Sequence, residues 1–128
     1  MSYYISKIIS TDFDSAIQKV TENLKAEGFG VLTEIDVKET LKKKIDVDFR
    51  KYKILGACNP PNAYKALSNE PYIGLMLPCN VVVQETGDGK IDVSAVDPQA
   101  SMQAVDNPDL ASIAGDIKSK LERVINSL

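Results

Sequence analysis

The stretch "CNVVVQETGDGKIDVSAV", residues 79–96, constrains the fold more than any other. Two alternating apolar runs flank Gly87-Asp88-Gly89, and Asp-Gly between such runs is a strong hairpin signal. The chain therefore contains at least one pair of antiparallel strands, and the other elements are read around it.

Upstream, "YYISKII" (residues 3–9) is rich in β-branched and aromatic types and predicts a strand. A helix follows: Phe13, Ile17, Val20 and Leu24 recur at helical spacing, Thr11 and Asp14 make a capping-box-like start, and Gly28 stands where the helix would end. "GVLTEIDV" predicts a second strand with Val31, Thr33 and Ile35 on one face and Leu32, Glu34 and Asp36 on the other. Asp36 and Glu39 then start a short helix with a Val37-Leu41-Ile45 stripe. "DFRKYKILGA" reads as a third strand. "NPPNAYKALSNE" reads as a helix capped by Asn59, with Pro60 at its first position. "YIGLML" fits either an extension of that helix or buried coil. A loop, "DPQASMQAVDNPD", leads to a last helix with Leu110, Ile113, Ala114, Ile117, Leu121, Ile125 and Leu128 on one face.

The order β-α-β-(α)-β-(α)-β-β-α predicts one α+β domain over residues 1–128. It is an antiparallel sheet of about five strands with two long helices packed on one face and short helices inserted between strands.

Composition excludes several functions. The net charge is −3, and there is no large basic cluster to neutralise phosphates, which argues against a nucleic-acid partner. There is no Trp, and there are only three Phe and five Tyr, so base-stacking platforms are scarce. No apolar run approaches the ~18 residues of a membrane span. The start of the chain does not resemble a signal peptide. The expectation is a cytoplasmic protein without membrane contact. Histidine is absent. That removes Ser-His-Asp and Cys-His catalysis and His-ligated zinc, and leaves Asp, Glu, Lys, Tyr or a thiolate as bases.

The two cysteines share an unusual setting. Cys58 precedes Asn59-Pro60-Pro61, and Cys79 lies between Pro78 and Asn80. If strands three and four are antiparallel neighbours, the end of one lies beside the start of the other, with opposed Cα atoms ~4.5–5.5 Å apart. Cys58 also adjoins a helix N-terminus, where anions are favoured and thiolates are activated. Cys58, Asn59, Cys79 and Asn80 thus form a candidate ligand site for a soft metal, a sulfane sulfur or a small anion. The plain alternative is open at this stage: free cysteine is often a small core residue, and Asn59 and Pro60 are explained by helix initiation alone. In a reducing compartment a constitutive disulfide is not expected.

Four elements, "EGFGVLTEIDVKETL", "YKILGACNPPNAYKAL", "IGLMLPCNVVVQE" and "AVDPQASM", resemble the domain of unknown function 302 family, most strongly from Gly28 to Met102. The resemblance implies a fold like that of the TATA-binding protein and a homodimer. It implies no activity and no nucleic-acid binding, because fold does not carry function. The family motif includes both cysteines.

Other patterns carry less. Lys42-Lys43-Lys44 reads as a solvated helix face. "GDGKIDV" lacks the acidic spacing of a calcium loop. Glu34 with Asp36 forms a candidate carboxylate pair, although Asp36 also serves as a cap. Met76 and Met102 are candidate soft ligands to a cuprous ion, or core fillers. Two functions follow: a thiol-bearing protein that binds a small ligand through Cys58, Asn59, Cys79 and Asn80, and a dimeric interaction or regulatory module with structural cysteines. No resident metal or cofactor is assigned. An enzyme using Glu34 is a third, weaker reading.

Overall fold

The computed structural model describes residues 2–128. Five strands, β1 (Tyr4–Ile9), β2 (Gly30–Asp36), β3 (Tyr52–Cys58), β4 (Cys79–Glu85) and β5 (Ile91–Val96), form one sheet in the order β1-β5-β4-β3-β2. Every neighbouring pair is antiparallel. The helices are α1 (Phe13–Ala26), α2 (Val37–Ile45), α3 (Pro60–Asn69), α4 (Pro98–Ser101) and α5 (Asp109–Asn126). The α+β architecture expected from the sequence is present.

The helices α1 and α5 cover one face of the sheet. α1 turns Phe13, Ala16, Val20 and Leu24 inward, and α5 turns in Leu110, Ile113, Ile117, Leu121 and Ile125. They meet Leu55 of β3, Val81 and Val83 of β4, and Val93 of β5, all fully buried. Burying each such side chain stabilises the fold by roughly 1.5–3 kcal/mol. Lys7 of β1 donates from Nζ to the Leu128 carbonyl at 2.7 Å, placing a cation where the dipole of α5 ends negative.

The other face is uncovered by either long helix. Its central row runs Ile35, Ile54, Val82, Ser94 and Ser6 across all five strands. Ile54, Val82 and Ser94 are half-buried, and Ile35 and Ser6 are exposed.

Local chemistry departs from expectation in five places. The cap of α1 is Asp12 rather than Thr11: its carboxylate accepts from the Ser15 N–H and from Ser15 Oγ, both at 2.8 Å. In β2, Val31 pairs with Ala57 but Thr33 pairs with Gly56, so Leu32 is the extra residue of a bulge and is 68% exposed. The alternation reverses there: Val31 packs on the core, while Thr33 and Ile35 turn to the uncovered face. The stripe on α2 stays largely outside the core, with Ile45 63% exposed. "YIGLML" is neither helix extension nor coil; residues Pro71–Met76 form a 3₁₀ helix that buries Ile73. Within the expected loop, Asp97 caps α4 by accepting from the Gln99 N–H at 2.9 Å. The same buried carboxylate pairs with Lys118 of α5 at 3.0 Å.

Candidate functional site: the cysteine cavity

β3 ends at Cys58 and β4 begins at Cys79, and the two strands are antiparallel neighbours. Cys79 opposes Ala57 and Asn80 opposes Gly56, so the cysteines are offset by one residue rather than directly opposed. Both are free thiols.

The turn from β3 into α3 is fixed by Asn59. Its Oδ1 accepts from the Asn62 N–H at 3.2 Å, closing the first turn of the helix. Its Nδ2 points to the carbonyls of Glu27 and Gly28, 3.4 Å from each, tying α3 to the turn between α1 and β2. Gly28 adopts φ +85°, and a Cβ there would sit 3.1 Å from Asn59 Nδ2. Glycine at 28 thus serves both the left-handed conformation and the close approach of the asparagine.

Cys58, Cys79, Asn59 and Asn62 line one cavity of about 20 Å³, with apolar cover from Phe29 and Ile117 among others. A space of this size holds about one water-sized atom. Asn62 is buried and donates from Nδ2 to Asp116 of α5 at 2.8 Å. Cys79 is only 5% exposed. Burial pushes its thiol up from the ordinary 9.0 to about 11, and the nearby Cys58 adds to the shift. Cys79 is therefore an S–H group at neutral pH. Cys58 is half-buried and lies between this cavity and the surface.

The structure brings together three of the five residues selected from sequence. Asn80 belongs to the opposite face of the sheet and is exposed, so it donates nothing to the thiols. The Asn59 amide is spent on backbone carbonyls. Glu34 is exposed on edge strand β2, where it lines a different, open depression. Its neighbour Asp36 caps α2 by accepting from the Glu39 N–H at 2.9 Å. Met102 is buried in the core, Met76 is 39% exposed, and neither lines the cysteine cavity. Among the described residues no three Cys, Asp or Glu side chains converge as a metal site. Lys42 and Lys43 form exposed ion pairs with Asp46 and Glu39. No described helix is long and apolar enough to cross a membrane. Sequence reasoning missed Asn62. The available signal was its place four residues before Ala66, which puts both on the inner face of α3.

Residues 5–128 match the family model described as Domain of unknown function DUF302. The chain belongs to this family. A crystal structure of an uncharacterized conserved DUF302 protein from Bacillus stearothermophilus is similar over 98% of this chain and 98% of its own, with 31% identity and a TM-score of 0.91. No curated protein matches the chain. Family membership fixes the fold of this DUF302 chain and leaves its activity to be argued from the site.

Proposed function

We propose that this protein is a thiol-bearing binding protein that carries a single sulfane sulfur on Cys58, beside Cys79. The observation that supports this reading is the convergence of both cysteines, from separate strands, on one small cavity of atomic size. A half-buried thiol is reachable by a donor, while its added outer sulfur is sheltered. In the loading step a donor persulfide, R–S–SH, is attacked at its outer sulfur by the Cys58 thiolate. A new S–S bond forms at Cys58 Sγ, the donor's S–S bond breaks, and R–S⁻ leaves and takes up a proton. No net oxidant is consumed. Cys79, held as a thiol by burial, supplies a weak S–H donor beside the cargo. A two-coordinate soft metal fits less well, because both ligands would have to be thiolates. Two free cysteines suit a reducing compartment such as the cytoplasm.

The test is loading with glutathione persulfide. Wild-type protein is expected to take up one reductant-labile sulfur, Cys58→Ser none, and Cys79→Ala one that is lost faster. Equal uptake by Cys58→Ser would overturn the reading.

A second reading, a dimeric interaction module with structural cysteines, draws on the uncovered sheet face, where Tyr4, Ile8 and Ile35 are exposed. Sedimentation velocity checks it: a monomer at tens of micromolar removes it.

A further inference from the structure

The sheet face turned away from α1 and α5 holds a depression of about 370 Å³, within the size range of small-molecule sites. Val82 of β4 and Ser94 of β5 lie in its middle, Tyr3 and Tyr4 bound it on the β1 side, and Tyr52 bounds it on the β3 side. Asp92 of β5 also lines it, paired with Ile8 and Gln84 on the neighbouring strands.

Asp92 is anomalous. Its Oδ1 is shut off from solvent and accepts no hydrogen bond. Among the described residues it belongs to no ion pair. Arg50, which reaches this face, is committed elsewhere: it donates to Gln84 Oε1 from Nη2 at 2.8 Å and Nε at 3.0 Å, and it lies 4.4 Å from the centre of the Phe49 ring. Buried polar atoms in native proteins almost always have a partner, in the protein, in ordered water or in a bound group, and no protein group fills that place for Asp92 Oδ1. The terminal torsion of aspartate is broad, so either oxygen can turn to the depression.

We infer that this depression binds an organic ammonium ion, with its charge on Asp92 and its apolar body over Val82 between the tyrosines. An ammonium group supplies three donors and the opposite charge. Tyrosine rings add apolar surface and an attraction for cations. Neutral or anionic ligands satisfy only part of this arrangement. The site lies on the opposite side of the sheet from the cysteine cavity and does not depend on it.

The test is a titration of the full chain with phenethylammonium, followed by backbone amide shifts, with neutral 2-phenylethanol as the matched control. The expected result is saturable shifts centred on Val82, Asp92 and Ser94. The alcohol is expected to bind at least tenfold more weakly, and Asp92→Asn to weaken the ammonium at least tenfold while keeping a folded spectrum. Tyr52→Leu is expected to weaken both ligands. No saturable shift, equal affinity for the alcohol, an unchanged Asp92→Asn variant, or a second copy of the chain seated on this face would each overturn the inference.

Discussion

Cys79 carries a pH signature of its own. Its folded thiol titrates near 11, against 9.0 for an ordinary thiol. Below pH 9 both folded and unfolded chains keep the proton, and the burial is without penalty. Between pH 9 and about 11 the unfolded chain ionises while the folded one does not, so stability falls across that window. The loss is on the order of 2 kcal/mol. Urea denaturation along this pH series is expected to show the slope in wild-type protein and a shallower one in Cys79→Ala. Parallel slopes would contradict the burial argument. Gly56 is a second residue with a local demand. A Cβ there would collide with Thr33 Oγ1 across the β2 bulge and come within 2.8 Å of Pro78 Cγ. Gly56→Ala is expected to cost about 1–3 kcal/mol, as overpacking does. A change within ~0.5 kcal/mol, typical of a free surface site, would show that the two neighbours yield.

At the scale of elements, α3 and its cap decide whether the cysteine cavity exists. Asn59 closes the first turn of α3 and reaches the α1–β2 turn. Asn59→Ala removes both, and a loss of about 1–2 kcal/mol is expected in chemical denaturation. Cys58 should also label faster with a thiol reagent in the folded variant; an unchanged labelling rate would mean the cap does not shape the cavity. Element identity was readable where pattern and punctuation agree. Asn59-Pro60, Asp88-Gly89 and Gly28 each mark a boundary by their own backbone chemistry, and each boundary is found there. The face of β2 was not readable. A bulge at Leu32 leaves no mark in composition, yet it reverses every later side chain. Thr11 and Asp12 are both competent caps by residue type, and Asp12 takes the role by accepting two hydrogen bonds from Ser15.

At the scale of the molecule, the sheet separates two environments. One face is sealed by α1 and α5 and encloses the cysteine cavity at the β3–α3–β4 crossover. The other is open and carries Asn80 and Asp92. The sequence puts Cys58 at the end of one strand and Cys79 at the start of the next, because the hairpin and the proline-started helix mark those boundaries; that the two strands are neighbours is supplied by the sheet order. Asn80 follows Cys79 directly within the alternating run of β4, so strand alternation alone sends it to the far face from the thiols. Core integrity links both regions. Leu24→Ala, at a fully buried position of α1, is expected to cost about 2–5 kcal/mol. Thermal unfolding checks this, and a loss under about 1 kcal/mol would mean that α1 does not anchor the sheet.

The central claim is that Cys58 holds a sulfur in the shared cavity. Its most direct test is the native intact mass of the protein after exposure to glutathione persulfide, followed by peptide mapping under non-reducing conditions. The account predicts one added sulfur, located on the peptide containing Cys58 and removed by reductant, with Cys79 unmodified. Unmodified cysteines that label only after unfolding, or sulfur carried on Cys79 instead, would contradict it.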